Sequence, residues 1–244
     1  MAFFYTSIAD YYDYIFPLNK FQVDFILSEI TKPYNNKSIL EAGCGTGNLP
    51  LVLSEYGINV TGIDFDSEMI NKAIKKCKTK TNLIVRYLDM RNLLTTFQNT
   101  YYNAIVCFGN TLVHLTDPSD IFSFIKQTKS LLAKNGTLLM QIINYDRILD
   151  QSIDSLPTIE NKDIRFQRIY NLDSTSGLIE FKTILDVKSS NEVINNKVLL
   201  YPLRKKELTT YLTKAGYKEI NYYSNFKKSA SDSNSTPLIV SAKF

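Results

Sequence analysis

The sequence predicts an α/β protein built on a doubly wound, mostly parallel seven-stranded sheet with a small antiparallel β insertion. From residue 38 onward, short apolar runs alternate with segments of helical spacing. Between about residues 160 and 200, apolar and polar residues alternate one by one, and helical spacing then returns. Strands that alternate with helices are typical of a parallel sheet covered on both faces, whereas period-two alternation is typical of antiparallel strands with one solvated face.

Five strands and the helices between them account for the first part of the chain. The strands are predicted over residues 38–40, 59–63, 83–87, 104–108 and 137–143. Helices are predicted after the first, second and fourth strands. Ser67 is predicted to cap the second of these helices, and Asp117-Pro118 supplies an N-cap and a first-turn proline for the third.

Residues 148–200 are predicted to form the antiparallel insertion. Apolar side chains from Ile164 to Leu172 share one parity, and residues 179–187 alternate in the same way after a turn at residues 173–177. Because the insertion follows the fifth strand, we expect it to cover the carboxyl edge of the sheet, where ligands bind in doubly wound folds. We therefore predict that the insertion forms a lid.

The chain after the insertion is predicted to return to the main sheet. Helical spacing ends at Gly216, which suits a C-terminal cap, and two last strands are predicted near residues 219–223 and 238–242. The predicted organisation is thus an α/β domain made of residues 1–147 and 201–244, with the lid between them.

Composition narrows the class of protein. The chain has 244 residues, of which 44% are hydrophobic and 21% charged, with a formal net charge of +4. These values predict a soluble globular protein without a membrane span, and exclude a disordered chain. Three widely spaced cysteines and one histidine predict neither a disulfide framework nor a metal site. We expect a reduced, cytoplasmic protein, and the oligomeric state stays open.

A lysine-rich helix is the densest basic feature of the sequence. It carries Lys72, Lys75, Lys76, Lys78 and Lys80 opposite an apolar stripe. Such runs on amphipathic helices are typical of a face that contacts solvent. We therefore favour a solvated face over an RNA-binding patch, and a nucleic-acid partner is not expected.

The strongest chemical signal is a glycine-rich loop after the first strand. Gly43, Gly45 and Gly47 allow sharp turns and a close approach of the backbone to a ligand. Their spacing, G-x-G-x-G, differs from the G-x-G-x-x-G of dinucleotide-binding loops. Glu41 is suited to an ammonium group rather than a pyrophosphate, and Asp64 ends the second strand where a carboxylate can bind ribose hydroxyls. The pattern therefore disfavours a nicotinamide dehydrogenase.

These residues resemble those of the class I S-adenosylmethionine-dependent methyltransferases. The E-A-G-C-G-T-G of residues 41–47 is similar to the cofactor loop of that family, and residues 64–67 and 88–90 are similar to its later cofactor segments. The resemblance implies the Rossmann-like methyltransferase fold and S-adenosyl-L-methionine as cofactor. It implies a cofactor site made of Tyr14, Glu41, Gly43, Gly45, Gly47, Asp64, Phe65, Met69, Asp89, Met90 and Phe108.

A narrower resemblance concerns the acceptor. The C-F-G-N-T-L-V-H-L of residues 107–115 and the N-Y-D-R-I-L of residues 144–149 look like segments of the glycine and sarcosine N-methyltransferases. The resemblance implies that Gly109, Asn110 and Tyr145 contact the acceptor. That family carries an arginine immediately before N-Y-D, whereas this chain has Ile143. We therefore expect glycine and sarcosine to be poor substrates, and the acceptor to be larger or less acidic.

Several side chains allow two interpretations. Asn110 and His114 are the candidate catalytic residues, but His114 also suits a local structural hydrogen bond. The tyrosines of the N-terminal stretch suit packing of a helix, or one or two of them suit the shielding of a sulfonium, because aromatic faces attract organic cations; they are Tyr5, Tyr11, Tyr12 and Tyr14. Arg168 lies on an apolar strand face, from which it either extends to solvent or binds an anionic group of the substrate.

The predicted function is in-line transfer of a methyl group to nitrogen or oxygen of a small-molecule acceptor. Such a displacement requires alignment, desolvation and a deprotonated acceptor more than acid–base groups. Two alternatives stay open, namely an RNA methyltransferase and a cofactor-binding protein without transferase activity.

Overall fold

A computed structural model describes residues 2–244, and the strands of this part of the chain form two sheets. The strands are β1 (Ser38–Ala42), β2 (Asn59–Asp64), β3 (Leu83–Tyr87), β4 (Tyr102–Cys107), β5 (Leu132–Ile143), β6 (Ser155–Glu160), β7 (Ile164–Leu172), β8 (Ile179–Val187), β9 (Glu192–Leu200), β10 (Glu219–Tyr223) and β11 (Pro237–Lys243). The seven-stranded sheet has the order β10-β11-β5-β4-β1-β2-β3, and the other has the order β6-β7-β8-β9.

The larger sheet is the predicted doubly wound sheet. Strands β1 to β5 are parallel, and β11 lies antiparallel between β5 and β10. The strand order reverses between β1 and β4, and such a reversal opens a crevice at the carboxyl ends of the two strands. The predicted fold class is confirmed, although β5 begins five residues earlier than the sequence indicates.

Helices cover both faces of this sheet. They are α1 (Ala2–Thr6), α2 (Tyr12–Ile15), α3 (Lys20–Glu29), α4 (Asn48–Ser54), α5 (Ser67–Cys77), α6 (Leu93–Thr96), α7 (Pro118–Leu131), α8 (Tyr145–Asp150) and α9 (Lys205–Ala215). None of the helices over residues 2–244 has the length and the apolar run that crossing a bilayer requires.

The helix ends follow local capping chemistry. Asp117 caps α7 and Pro118 is its first residue, as predicted, and Gly216 ends α9 in the left-handed conformation at φ +93°. The predicted cap at Ser67 is wrong, because Asp66 has the extended backbone of an N-cap. Its carboxylate accepts hydrogen bonds from the backbone N–H groups of Glu68 and Met69, both at 3.0 Å.

The smaller sheet is the predicted antiparallel insertion. Strand β8 alternates between buried and partly exposed residues along its whole length. On β7 the last buried residue of this alternation is Tyr170. Leu172 shares its parity but is exposed, because it lies beside the hairpin turn that follows. Strand β6 is not predicted from the sequence, since its S-L-P-T-I-E has no clear alternation.

A stretch of residues 2–16, hereafter the N-terminal segment, lies between α5 and the smaller sheet. Its Phe4 ring packs on Phe181 of β8 at 5.8 Å, and its Phe16 ring packs on Phe166 of β7 at 5.7 Å, measured between ring centroids. The segment therefore closes one side of the space between the two sheets.

Lysines of α5 hold the other side of the N-terminal segment. Lys76 donates to Asp13 at 2.8 Å, and Lys72 forms an ion pair with Asp10. The prediction of a solvated lysine face is therefore wrong at these two positions, because the N-terminal segment supplies carboxylates that the sequence pattern of α5 alone does not show.

Candidate functional site

Two adjoining cavities open at the carboxyl ends of the central parallel strands. The first has a volume of about 280 Å³ and the second about 410 Å³. Tyr5, Tyr12, Gly43 and His114 line both cavities. These four residues therefore mark the junction between the two spaces.

Two glycines of the loop after β1 shape the first cavity. Gly43 and Gly45 have left-handed backbones, with φ of +80° and +53°, and both line the cavity. A Cβ on Gly43 would collide with the side chain of Thr111, and one on Gly45 would come within 3.2 Å of the Tyr12 ring. Because both positions disfavour side chains, the loop backbone itself forms the cavity wall.

Gly47 does not line either cavity, although the resemblance places it beside the cofactor. Its φ is +81°, and a Cβ there would lie 3.0 Å from Ala73 and 3.2 Å from Cys77 of α5. The glycine therefore allows α4 and α5 to pack closely, and the expectation of a ligand contact is corrected to a packing role.

Asp64 is oriented by the loop that it faces. Its Oδ2 accepts a hydrogen bond from Gly45 N–H at 2.8 Å, and its Oδ1 accepts one from Asp66 N–H at 2.9 Å. Burial raises the pKa of Asp64 to about 6, against the effect of these two donors. Each oxygen keeps a second lone pair that can accept a hydrogen bond from a ligand hydroxyl.

Glu41 is a buried carboxyl group without a counter-charge among the residues that the structure describes. It is 5% exposed, lines the second cavity, and its Oε2 has no hydrogen-bond partner in the described part of the chain. Burial, and secondarily the charge of Asp64, raises the pKa of Glu41 to about 8. A buried carboxyl beside a cavity and without a partner fits a ligand that brings an ammonium group.

The far end of the first cavity is lined by Phe65, Met69, Asp89 and Met90. Met69 is buried, whereas Phe65 is partly exposed and packs on Tyr87 at 5.4 Å between ring centroids. These side chains provide apolar surfaces on which a flat ring can stack.

Asp89 lies among these apolar side chains and is fixed by Arg91. The Asp89 carboxylate accepts a hydrogen bond from Arg91 N–H at 2.9 Å and from Arg91 Nε at 2.9 Å. Arg91 also lines the cavity, and no pattern in the sequence distinguishes it from other surface arginines.

The first cavity, together with the part of the second cavity at Glu41, fits the cofactor that the resemblance implies. Asp64 offers acceptors for ribose hydroxyls, the partnerless Oε2 of Glu41 offers a counter-charge for an ammonium, and the glycine backbone leaves room for close approach. Tyr5 and Tyr12 bring aromatic rings to the junction, where a sulfonium would be attracted to their faces.

Tyr14 does not contribute to either cavity. Its side chain is 51% exposed, whereas Tyr12, two residues earlier on α2, lines both spaces. A helix turns by about 100° per residue, so residues two apart point to nearly opposite sides. The helical spacing of Ile8, Tyr12 and Ile15 (i, i+4, i+7) is the signal that selects Tyr12.

The acceptor-side residues lie around the second cavity. Gly109 and Asn110 line it with left-handed backbones, at φ of +71° and +65°. The Oδ1 of Asn110 accepts a hydrogen bond from Ile143 N–H at 2.9 Å, and its Nδ2 donates to Tyr145 Oη at 3.0 Å. Phe108 lines the second cavity rather than the first.

Tyr145 is placed behind Asn110 rather than in the cavity. It is fully buried and does not line either space, because α8 turns its side chain into the core. Its contact with Asn110 therefore orients the amide, and the expectation that Tyr145 contacts the acceptor is corrected.

His114 forms a hydrogen bond with Tyr5. The distance from Nε2 to Tyr5 Oη is 2.8 Å, and Nδ1 is buried without a partner among the described residues. Burial lowers the pKa of His114 to about 4. The imidazole is therefore neutral at pH 7. The Tyr5 hydroxyl is the hydrogen-bond partner that the structural interpretation of His114 requires.

Arg168 lines the second cavity from β7, together with Phe166 and Tyr170. Its Nη2 donates to the carbonyl of Pro157 at 2.7 Å, and its Nε is buried without a partner in the described chain. Gln141 also lines this cavity, where its Oε1 accepts from Gly109 N–H at 2.9 Å. Gln141 is not among the residues predicted from the sequence, and its signal there is a polar residue inside the apolar run of β5.

No group of three or more His, Cys, Asp or Glu side chains within residues 2–244 is arranged to hold a metal ion.

Comparison with known proteins agrees with this geometry. A family model described as a methyltransferase domain matches residues 39–136. The chain is 28% identical over 216 residues to a glycine/sarcosine N-methyltransferase of Halorhodospira halochloris, which covers 88% of this chain and 78% of that protein. It is 27% identical over 200 residues to one from Aphanothece halophytica, covering 81% and 72%. Among solved structures, an S-adenosylmethionine-dependent methyltransferase from Clostridium acetobutylicum ATCC 824 superposes with a TM-score of 0.79 at 16% identity, covering 98% of each chain.

Proposed function

Because this chain is a class I S-adenosylmethionine-dependent methyltransferase, we propose that it methylates a nitrogen or an oxygen of a small molecule held in the second cavity. The observation that carries the proposal is that this cavity, of about 410 Å³, adjoins the first. Phe166 and Phe181 of the smaller sheet and Phe4 of the N-terminal segment form its walls, and the first cavity meets it at Tyr5 and Tyr12. Such a space suits a small acceptor rather than a polymer.

The proposed mechanism divides binding and alignment among separate residues. S-adenosylmethionine, when bound, supplies an electrophilic methyl group on a sulfonium. Glu41 would hold the ammonium group, Asp64 would accept hydrogen bonds from ribose hydroxyls, and Phe65 and Met69 would pack against the adenine. Such contacts would align the reacting group with the acceptor, and alignment of this kind is a major source of rate in displacement reactions.

Asn110 is proposed to orient the acceptor. Ile143 N–H and Tyr145 Oη hold its amide in one orientation, which leaves one N–H for a ligand. Tyr5 and Tyr12 exclude water from the junction. We propose that His114 acts through Tyr5, whose hydroxyl it positions, because a pKa of about 4 makes it a weak base at pH 7.

Glycine and sarcosine are proposed to be poor acceptors. The relatives named above are glycine/sarcosine N-methyltransferases. Ile143 lines the second cavity where the resemblance expects an arginine, and its apolar side chain offers no donor to a carboxylate. A carboxylate held at Ile143 itself would be buried there without a partner, which costs several kcal/mol.

An RNA acceptor is the second candidate, and the position of the lysines disfavours it. An RNA methyltransferase needs basic and aromatic residues around the mouth of the pocket. Lys72 and Lys76 instead pair with Asp10 and Asp13 of the N-terminal segment. The third candidate, a binding protein without transferase activity, predicts no acceptor space beside the cofactor, whereas the second cavity adjoins the first.

The test is transfer of a labelled methyl group. Purified protein is incubated with methyl-labelled S-adenosylmethionine and either small metabolites, separated from polymers by filtration, or total RNA. We expect label to appear in the small-molecule fraction and to be lost in the Asp64→Ala variant. Label in RNA alone would refute the proposal, as would cofactor binding without transfer to either fraction. Glycine and sarcosine are assayed separately, and efficient methylation of either would contradict the inference from Ile143.

A further inference from the structure

We propose that the acceptor carries a carboxylate on an apolar body, and that Arg168 binds this carboxylate from the smaller sheet. The inference rests on the proposed function, because it names the class of acceptor that the second cavity takes. It assigns to Arg168 the role of determining substrate specificity.

The guanidinium of Arg168 lacks a counter-charge within residues 2–244. Its Nη2 donates to the Pro157 carbonyl at 2.7 Å, its Nε is buried without a partner, and no carboxylate of these residues lies within 4.0 Å. Arg165, three residues earlier on the same strand, instead pairs with Asp186 at 3.4 Å and with Glu160 at 4.0 Å. A partly buried cation without a paired anion is costly, so a ligand that supplies the anion is favoured there.

A second polar group without a partner lies beside Arg168. Thr183 of β8 is directly opposite Arg168 in the strand register, and directly opposed residues of antiparallel strands point to the same face of the sheet. Thr183 is 1% exposed, and its Oγ1 has no hydrogen-bond partner among the described residues. Next across the sheet, Asn196 faces Thr183 and donates to Ser7 Oγ at 2.7 Å.

The surroundings of this polar pair are aromatic. Phe166 and Tyr170 flank Arg168 on the same face of β7, and Phe181 comes from the neighbouring strand β8. All three line the second cavity with Arg168, and Phe16 of the N-terminal segment closes it from the opposite side. One cationic group within aromatic walls fits a molecule with one anionic end and an apolar body.

The position of Arg168 sets a lower limit on the length of the acceptor. Arg168 lines the second cavity but not the first, whereas Tyr5 and Tyr12 at the junction line both. A molecule that pairs with Arg168 and also presents a nucleophile at the junction must extend through the second cavity. That cavity has about 410 Å³ of space, of which the part at Glu41 is assigned to the ammonium end of the cofactor, and the acceptor body occupies the rest.

The experiment compares three aromatic carboxylates with their uncharged amides. Benzoate, phenylacetate and 3-phenylpropionate, and the corresponding amides, are titrated by calorimetry into protein saturated with S-adenosylhomocysteine. We expect at least one carboxylate to bind at least tenfold more tightly than its amide. We expect Arg168→Gln to remove that preference, and the matched control Arg165→Gln, on the same strand, to retain it.

Two results would overturn the inference. One is that no carboxylate binds more tightly than its amide, and the other is that Arg168→Gln retains the wild-type preference. The melting temperature without acceptor separates folding from binding. If Arg168 serves the acceptor, loss of its unpaired guanidinium is expected to leave the melting temperature of Arg168→Gln unchanged or higher. If Arg168 has only a structural role, the melting temperature is lower and the carboxylate preference is unchanged.

The same samples distinguish this inference from the proposed function. Failure of the wild-type protein to bind S-adenosylhomocysteine would refute the methyltransferase function on which the inference rests. Normal S-adenosylhomocysteine binding without carboxylate preference would refute the role of Arg168 alone.

Discussion

Replacement of Glu41 by glutamine is expected to make the cofactor-free protein progressively more stable, relative to wild type, as the pH rises. Glu41 has a pKa of about 8 in the folded protein and 4.5 as its ordinary value. Between these values the folded state binds more protons than the unfolded chain, so the contribution of Glu41 to stability is fully present below pH 4.5 and is lost towards pH 8. The loss between pH 5 and pH 7 is about 2.5 kcal/mol.

The assay is chemical denaturation of the two proteins without cofactor at pH 5, 6 and 7. The glutamine amide changes stability by an amount that does not depend on pH, so the informative quantity is the change in the difference between the two proteins. We expect the unfolding free energy of Glu41→Gln minus that of wild type to grow by about 2.5 kcal/mol from pH 5 to pH 7. Glu68→Gln, at an exposed glutamate of α5, is the matched control and should give a constant difference.

Cofactor binding provides the second half of the same prediction. At pH 7 the Glu41 carboxyl of the free protein is mostly protonated, and pairing with an ammonium group requires the carboxylate. Binding is therefore expected to release about 0.9 proton in the wild-type protein and none from this position in Glu41→Gln. Calorimetry in two buffers of different ionisation enthalpy measures the release. Parallel stability curves for the two proteins, together with equal proton release, would refute the assignment of Glu41.

Three further predictions concern the ribose contact, the N-terminal segment and the lid. Asp64→Ala removes charge-assisted hydrogen bonds worth roughly 1.5–3 kcal/mol, so calorimetry should show cofactor affinity lowered more than tenfold, and an unchanged affinity would contradict the ribose contact. Lys76→Met breaks the ion pair with Asp13 and should lower cofactor affinity a few-fold, an effect that 1 M salt reproduces in wild type and that Lys75→Met does not show. Hydrogen exchange over residues 148–200 should slow when cofactor and acceptor bind together, and equal protection in the free and bound states would mean that this segment is only structural.

The sequence predicts the parallel sheet well because buried strands leave a strong pattern. Five apolar runs correspond to the strands of the central sheet, and the carboxylates at their ends, Glu41 and Asp64, lie at the cavities. Strand ends of a parallel sheet share one edge, so the strand pattern alone is enough to place residues far apart in the chain at the same site.

The errors arise where a side chain's direction depends on neighbouring elements. Tyr12 and Tyr14 are both tyrosines of α2, and the sequence alone does not distinguish them. The orientation of α2 against the sheet directs Tyr12 into the cavity and leaves Tyr14 exposed. Gly47 belongs to a loop of ligand-binding type, yet its lack of a side chain is required by the close packing of α5 against it. The motif around Tyr145 suggests an acceptor contact, whereas the first turn of α8 directs this side chain into the core.

The N-terminal segment is attached to both sides of the site, and this has a kinetic consequence. Asp13 is paired with Lys76 of α5 on the cofactor side, while on the opposite side Asn161 donates to the Tyr14 carbonyl and Asn196 to Ser7. Movement of the segment away from the cofactor therefore also breaks contacts that close the acceptor space. Turnover is expected to follow a compulsory order in which the cofactor binds first and S-adenosylhomocysteine leaves last. Product inhibition by S-adenosylhomocysteine should accordingly be competitive with the cofactor and not with the acceptor.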